Sequence, residues 1–116
     1  MDYQYEMILC IVNAGFSDAV MDTARKLGAG GGTVIHARGT ASKEAEALFR
    51  ITVQPEKEIV MIVVPKEKKA PILAALYDAV GLETPGQGIA FSLPVDGVVG
   101  LSAATLPTPE PVEETK

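Results

Sequence analysis

The stretch Ile59-Val-Met-Ile-Val-Val64 contains six consecutive apolar residues with no polar side chain among them. A short apolar run of this kind is typical of a β-strand that is buried on both faces. The segment Tyr5–Val12 has the same character, because apolar residues occupy both of its alternating faces. These two strands predict a sheet whose centre needs packing partners on both sides. One face of the first strand is expected to carry Met7, Leu9 and Ile11, and the other Ile8, Cys10 and Val12.

Two helices are predicted, each following one of these strands. After a loop at Asn13–Phe16, Ser17 is placed to act as the N-cap of the first helix, and Gly28 ends it. The second helix is predicted to run from Glu67 to Val80 and to end at Gly81. Its main apolar stripe is expected to consist of Leu73, Leu76, Tyr77 and Val80.

Two more strands complete the pattern. They are predicted at Thr33–Arg38 and Ile89–Leu93, with Val95–Leu101 as a short extension of the last one. The resulting order, β-α-β followed by β-α-β, is that of an α+β ferredoxin-like fold, in which a four-stranded antiparallel sheet carries two helices on one face. Because the helices cover a single face, the apolar residues on the other face require a symmetric oligomer.

The segment from Gly39 to about Glu58 is a long excursion with a strand-like portion at Leu48–Val53. Long loops inside compact domains are often functional. Thr40 to about Leu48 offers little to bury, and ordering the backbone costs roughly 1–2 kcal/mol per residue. We therefore expect a mobile loop there that becomes ordered when a ligand or partner binds. Residues 102–116 are rich in Pro, Thr and Glu, and are predicted to form a disordered tail after a single domain of residues 1–101.

Length and charge restrict the possible functions. A chain of 116 residues with 47% hydrophobic content is expected to form one domain with an ample core. Its net charge of −5 argues against a nucleic-acid partner, and no apolar run approaches the length of about 18 residues that a membrane span needs. No basic segment followed by an apolar stretch marks a leader, so a cytoplasmic location is expected. The single cysteine, Cys10, excludes an internal disulfide and is expected to be a buried, unreactive thiol.

Two glycine-rich segments, Gly28–Gly39 and Thr84–Gly88, suggest a ligand site made from the backbone. Glycines allow backbone N–H groups to approach a ligand closely, and such groups can form concave nests for anions. His36 and Arg38, near the end of the first segment, have two interpretations: solvent-exposed or structural side chains, or additional donors to an anion.

Other side chains with chemical potential are few. Lys66, Lys68 and Lys69 oppose the positive end of a helix dipole, so they either form a solvated face or indicate a nearby anion. No Ser-His-Asp set, paired-carboxylate cleft or HExxH motif can be assembled, so we do not expect an enzyme. The lone histidine has no cysteine or second histidine beside it, so no metal site is predicted.

The glycine segments and strands together resemble the PII signalling superfamily over about Met7–Leu101. Phe16–Val20 and Gly32–Gly39 are similar to the first helix and second strand that lead into the family's T-loop, a long loop that contacts partner proteins. Ile59–Pro65 is similar to the third strand, and Thr84–Phe91 to the glycine-rich B-loop and the fourth strand. The resemblance implies a homotrimer that binds adenine nucleotides in the clefts between subunits.

The resemblance also implies which residues form the nucleotide site. Thr33 matches a threonine that touches the nucleotide, and Gly39 matches a glycine at the base of the T-loop. Gly86 and Gly88 match the B-loop glycines beside the phosphates. With neighbouring residues added, the candidate set is Thr33, Arg38, Gly39, Gly86, Gln87 and Gly88, with His36 and Thr40 as further candidates.

Two departures from the family pattern affect the choice of ligand. Ile89 stands where the family has a phosphate-binding lysine, and Val99, Gly100 and Leu101 stand where arginines would reach a triphosphate. Each lost cation removes a charge-assisted hydrogen bond of roughly 1.5–3 kcal/mol. ADP or AMP is therefore expected in preference to ATP, with a cyclic nucleotide as a further alternative.

The expected function is that of a nucleotide-sensing regulator. Nucleotide state would set the conformation of the loop, and a target protein would select one conformation. By the resemblance, the target is a membrane transporter or a metabolic enzyme, and the chain itself does not insert into a membrane. The alternative is a trimer of the divalent-cation-tolerance type, which shares the fold and binds metal or another small ligand. The paired glycine segments favour the regulator.

Overall fold

The computed structural model describes residues 3–40 and 55–101. Within them lies a four-stranded sheet, in the order β2-β3-β1-β4, in which every neighbouring pair is antiparallel. The two α-helices of the described residues pack on one face of this sheet, which confirms the predicted α+β ferredoxin-like fold. The elements are β1 (Tyr5–Asn13), α1 (Ser17–Lys26), β2 (Thr33–Arg38), β3 (Glu56–Pro65), α2 (Lys69–Val80) and β4 (Ile89–Val95).

The core lies between the helices and one face of the two central strands. Side chains alternate across a strand, so every second residue of β1 and β3 faces α1 and α2. The strand residues Ile8 and Ile62 pair across the sheet and are fully buried, as are Ile72 and Leu76 of α2. The face of the sheet that packs against the helices is called the helix face below. Its strand residues are Ile8, Cys10, Val12, Val60, Ile62 and Val64.

The other face of the sheet, called the open face below, is also apolar, and its central residues Leu9 and Met61 are only partly buried. Leu9 pairs with Met61 on one side and with Phe91 on the other, and residues directly opposite each other share a face. The edge-strand residues Phe91 and Leu93 remain 41% and 43% exposed. The apolar residues of the open face in the four strands include Met7, Leu9, Ile11, Ile35, Ile59, Met61, Val63, Ile89, Phe91 and Leu93. The two-sided apolar character predicted for β1 and β3 is thereby confirmed.

Two strand boundaries differ from the prediction. β3 begins at Glu56 rather than at Ile59, because its polar start still pairs with the ends of β1 and β2. Backbone hydrogen bonds extend the strand beyond its apolar run, so hydrophobicity alone places the boundary too late. The predicted extension at Val95–Leu101 is also wrong, since β4 ends at Val95 and the following described residues are not strand.

The start of α1 is stabilised differently from the prediction. Ser17 is the first helical residue rather than the N-cap, and the cap position, Phe16, makes no side-chain capping bond. Instead, the carboxylate oxygen Oε1 of Glu58 accepts hydrogen bonds from the backbone N–H groups of Gly15 (3.0 Å) and Ser17 (3.1 Å). A residue of β3 therefore supplies the cap. At the other end, Gly28 has the positive φ of 102° that favours glycine after a helix, as predicted.

The second helix is shorter and rotated relative to the prediction. It starts at Lys69, after a 3₁₀ turn at Lys66–Lys68, rather than at Glu67. Its buried residues are Ile72, Leu76 and Val80, while Tyr77 is 65% exposed. The helix carries apolar residues of its own on several sides. The periodicity of its sequence therefore does not identify the side that packs on the sheet.

Residues 41–54 and 102–116 lie outside the described residues. The predicted mobile loop from Thr40 to about Leu48, the strand-like portion at Leu48–Val53 and the predicted tail fall on these segments. They stay predictions.

Candidate functional site

Three segments meet at one end of the sheet. They are the β1–α1 loop (Ala14–Phe16), the glycine turn (Thr84–Gly88), and the loop base, which comprises Gly39 and Pro55–Lys57. The N–H of Asn13 donates to the carbonyl of Gly86 at 2.9 Å, and the N–H of Ala14 donates to that of Glu56 at 3.1 Å. The N–H of Gly39 donates to the carbonyl of Pro55 at 2.8 Å. The end of β1 thus joins the glycine turn, which the family resemblance implied to lie beside the phosphates, to the loop base, where Gly39 was matched to the base of the T-loop.

The glycine turn is closed by its own hydrogen bonds. Gln87 has a φ of 49°, in the left-handed region, and its N–H donates to the carbonyl of Thr84 at 3.0 Å. The N–H of Gly88 donates to the carbonyl of Val80, at the end of α2, at 2.6 Å. These two N–H groups are therefore engaged within the protein, and an anion at the turn needs other donors or a rearrangement of the turn.

Packing explains why Gly88 must be a glycine. A Cβ at this position would lie 2.6 Å from the Val80 carbonyl oxygen and 2.8 Å from Cγ1 of Val12. At Gly86 the corresponding Cβ would lie 3.2 Å from Cβ of Val80. Gly88 is therefore required by the fold itself, whereas a side chain at Gly86 would need its neighbours to shift by a few tenths of an ångström. The presence of these glycines alone does not indicate a ligand.

Lys57 is a candidate site residue that sequence reasoning missed. Its ammonium donates to Oδ1 of Asn13 at 2.8 Å, and Nδ2 of Asn13 donates to the carbonyl of Pro85 at 2.9 Å. A Cβ built on Gly39 would lie 3.3 Å from Cε of Lys57, so the side chain runs along the loop base. The available signal was the polar Pro55–Glu58 stretch before the apolar run of β3, at the end of the predicted excursion from Gly39 to about Glu58.

Arg38 and His36 project from the end of β2 beside the same loop base. They line an open cleft of about 430 Å³ together with Ala37, Glu56 and Lys57. Nδ1 of His36 lies 3.7 Å from Oε2 of Glu58, and the histidine side chain is 84% exposed. Thr40 follows Gly39 directly and is exposed. Basic groups thus gather where the chain enters and leaves the 41–54 segment.

Glu58 stays ionised beneath this cleft. Its burial acts to raise the pKa of the carboxyl group, but the hydrogen bonds from Gly15 and Ser17 and the nearby His36 outweigh burial. The pKa of Glu58 is consequently lowered from its ordinary value. A negative charge at the start of α1 is favourable because the N-terminal end of a helix carries a partial positive charge. The role of Glu58 is therefore to fix the β1–α1 loop.

Thr33 lies away from the other candidates, at the opposite end of β2. Thr33 and Gly39 are six residues apart, which is about 20 Å along an extended strand. Thr33 borders a second cleft, of about 470 Å³, with the glycine run Gly30–Gly32, open-face residues and Leu101. The structure thus places Arg38 and Gly39 at the same end of the sheet as Gly86, Gln87 and Gly88, but on the opposite edge strand. It leaves Thr33 in a separate cleft of the same chain.

The glycine run beside Thr33 contains two kinds of position. A Cβ on Gly32 would lie 2.8 Å from Sδ of Met21 and 3.0 Å from the Met61 carbonyl oxygen, so packing requires a glycine there. At Gly30 and Gly31 a Cβ would meet nothing within 4 Å. Substitutions at these two positions therefore change the second cleft without straining the fold.

The lysines at the start of α2 all have partners in the protein. Lys66 lies over the ring of Tyr3, Lys68 donates to the carbonyl of Leu27 at 3.3 Å, and Lys69 lies 3.4 Å from Oε2 of Glu6. The anion that these lysines suggested is not needed to explain them. Burial raises the pKa of the Cys10 thiol to about 11, as expected of an unreactive cysteine.

The described part of the chain has neither a cluster of metal-binding side chains nor a membrane-spanning helix. Residues 3–40 and 55–101 contain no group of three or more His, Cys, Asp or Glu side chains placed to hold a metal ion. Within the same ranges, no helix is long and apolar enough to cross a membrane.

A family profile and several solved structures that resemble this chain all belong to PII or PII-like proteins. The profile of the family "Nitrogen regulatory protein P-II" matches residues 5–104. Citrate-bound PII from Arabidopsis thaliana aligns with a TM-score of 0.67 and 24% identity over 86% of this chain and 85% of its own. CPII, a nitrogen regulatory PII-like protein from Thiomonas intermedia K12 bound to ADP, AMP and bicarbonate, aligns with a TM-score of 0.61 and 16% identity over 80% and 91%. The GlnK–ATP complex of B. subtilis aligns with a TM-score of 0.59 and 16% identity over 82% and 84%.

A search of curated proteins found no match. The solved structures are less than 25% identical to this chain, so their likeness establishes the fold. The family profile spans almost all of the described residues, from β1 to beyond β4. The chain therefore belongs to the nitrogen regulatory protein P-II family.

Proposed function

We propose that this protein is a PII-like signal-transduction protein that binds an adenine nucleotide and regulates a partner protein. The observation that carries the proposal is the meeting of the glycine turn, the loop base and Lys57 at one end of the sheet. Relatives with the same fold are bound to ADP and AMP in one case and to ATP in another. Its role is regulatory binding rather than catalysis.

ADP or AMP is the proposed ligand, in preference to ATP. Ile89, which follows the glycine turn, is 54% exposed and offers no charge to a phosphate. Lys57 supplies one cation at the loop base, and Arg38 borders the same cleft. A cation that contacts a phosphate contributes roughly 1.5–3 kcal/mol. This set suits a shorter phosphate chain, and the proposed nucleotide residues remain Thr33, Arg38, Gly39, Gly86, Gln87 and Gly88, now with Lys57.

A homotrimer is proposed because it explains two features of the single chain, the half-buried open face and the distance between Thr33 and the loop base. It covers the open face, whose apolar side chains are only half buried in one protomer. It also allows the cleft at Thr33 of one protomer to adjoin the loop base of the next, although the two are about 20 Å apart within a chain. The nucleotide site is then completed between subunits.

Light scattering tests the assembly. We expect a trimer for the wild type and smaller species for Val63→Glu, because a buried unpaired charge costs several kcal/mol. Val99→Glu is the matched control, since Val99 is 76% exposed and outside the open face. A wild type that is monomeric at micromolar concentration contradicts the trimer.

Calorimetry with ADP, AMP, ATP and GDP tests the ligand. We expect ADP and AMP to bind, ATP to bind with no large advantage, and GDP to bind weakly or not at all. Lys57→Met should weaken ADP binding about tenfold or more, whereas Lys68→Met, at a lysine bound to the Leu27 carbonyl, should leave it unchanged. ATP that binds a hundredfold more tightly than ADP, a difference of about 2.7 kcal/mol, contradicts the proposed preference.

The partner is proposed to contact the segment from Thr40 to about Leu48, and to be a membrane transporter or a metabolic enzyme. Its base carries the cluster of Arg38, Lys57 and Glu56, so a nucleotide bound there is next to the point where the segment begins. Deleting residues 40–47 should preserve the trimer and ADP affinity and abolish capture of the partner from a native lysate. Retention of every captured partner by the deletion variant contradicts this role.

A further inference from the structure

Asn13 connects all three segments at the proposed nucleotide end of the sheet. Its backbone N–H donates to the carbonyl of Gly86, and its own carbonyl accepts from the N–H of Phe16 at 3.2 Å. Its side chain accepts from the ammonium of Lys57 and donates to the carbonyl of Pro85. Asn13 is thus bonded to the glycine turn through both backbone and side chain, and to the loop base through Lys57.

The side-chain amide is suited to this double contact. An asparagine carries an acceptor oxygen and a donor nitrogen on one rigid group, so a lysine at Oδ1 and a carbonyl at Nδ2 fix its orientation together. A movement of the Pro85 carbonyl therefore changes the position available to the Lys57 ammonium. An ammonium has three donors, so the bond to Asn13 leaves Lys57 able to contact an anionic ligand.

The residues after Asn13 hold it in place. The N–H of Ala14 donates to the carbonyl of Glu56, and the carboxylate of Glu58 accepts from the N–H groups of Gly15 and Ser17. Both acceptors belong to β3, two residues apart, on either side of Lys57. These hydrogen bonds tie the β1–α1 loop and the start of α1 to the start of β3, and the glycine turn is linked to them through Asn13.

We propose that Asn13 is a positioning residue that couples the glycine turn to Lys57, so that a nucleotide bound at the turn sets the placement of the loop base. The inference rests on the proposed nucleotide function and deepens it by naming the residue that links the two halves of the phosphate end. Asn13 does not itself touch the nucleotide. Its effect on binding is exerted through Lys57 and the turn.

Hydrogen exchange without nucleotide tests the coupling directly. Lys57→Met removes the donor to Oδ1 and leaves the Pro85 contact chemically possible. If Asn13 links the two sides, the amides of Gln87 and Gly88 should exchange about fivefold faster in this variant, the effect of one lost hydrogen bond. Lys68→Met is the matched control, because it removes a lysine bound to the Leu27 carbonyl. Unchanged exchange at the turn in Lys57→Met overturns the coupling.

A double-mutant cycle on ADP affinity tests the positioning role. Asn13→Leu keeps the approximate shape of the side chain and removes both of its hydrogen bonds. We expect this variant and Lys57→Met each to weaken ADP binding about tenfold, and the double variant to be little weaker than either. Additive losses, or a lower melting temperature of Asn13→Leu with unchanged ADP affinity, overturn the inference and leave Asn13 a structural residue.

The hydrogen-exchange and ADP-binding experiments distinguish a failure of the coupling by Asn13 from a failure of the proposed nucleotide function. A wild type that binds neither ADP nor AMP refutes the proposed function and removes the basis of the positioning role, whatever the hydrogen-exchange result. Normal ADP binding with uncoupled exchange refutes the inference alone.

Discussion

The helix face and the open face of the sheet are built from similar side chains but have different roles. On β3, Ile62 faces the helices and is fully buried, whereas its neighbour Val63 lies on the open face and is half buried. The same contrast holds for charge, since Glu58 on the helix face caps α1 while Lys57 on the open face reaches Asn13. Residues that stabilise the protomer therefore alternate along one strand with residues that are proposed to serve assembly and ligand binding.

The largest expected difference between the faces concerns core packing. Ile62→Ala should lower the free energy of unfolding by about 2–5 kcal/mol, because it leaves a cavity in the packed layer under the helices. Val63→Ala should cost less, and its effect should depend on protein concentration, because Val63 is proposed to pack between protomers. Chemical denaturation at two protein concentrations measures both. Equal, concentration-independent losses would remove the distinction between the faces.

Two glycines extend the comparison, one that packs against the helix face and one that borders the second cleft. Gly88→Ala should destabilise the protein by about 1–3 kcal/mol, as overpacking does, because its Cβ would collide with Val80 and Val12. Gly30→Ala, in the second cleft beside Thr33, should change the free energy of unfolding by no more than about 0.5 kcal/mol. Thermal melting of both variants is the measurement. A stable Gly88→Ala would show that the turn can move away from α2.

The charge on the helix face should produce a pH dependence of smaller size. The pKa of Glu58 is lowered in the folded protein, so its contribution to stability is complete above its unfolded pKa, about 4.3, and is lost as the pH falls through the folded value. Glu58→Gln removes the charge that interacts with the start of α1, an interaction of about 0.3–1 kcal/mol. Denaturation of both proteins between pH 7 and pH 3 should show their stabilities converging at the acidic end. A constant difference across the range would exclude this role of Glu58.

The smallest expected effect lies on the outer side of α2. Tyr77→Ala should alter the free energy of unfolding by no more than about 0.5 kcal/mol, since the ring is mostly exposed. The adjacent Leu76→Ala, in the buried row, should cost about 2–5 kcal/mol. A strongly destabilised Tyr77→Ala would show that Tyr77 contributes to the packed side of α2, as the periodicity predicted.

The central strands could be predicted from the sequence more completely than the candidate site. Uninterrupted apolar runs placed β1 and the core of β3 correctly, because backbone pairing and burial on two faces both select such residues. The start of β3 and the packing face of α2 were missed. A polar strand end is held by its hydrogen bonds, and the face of an apolar helix is chosen by the sheet beneath it. For the candidate site, Arg38, Gly39 and the glycine turn could be named from the chain, but Lys57 and Asn13 could not.

By itself, the sequence determined the order of elements, the apolar character of both sheet faces and the family, because these depend on local patterns and on motifs within single segments. The tertiary structure alone decided that Glu58 caps α1, that Asn13 joins the glycine turn to Lys57, and that Thr33 is remote from the loop base. Each of these depends on contacts between residues far apart in the chain. Such contacts follow from strand order and register, which no single segment specifies.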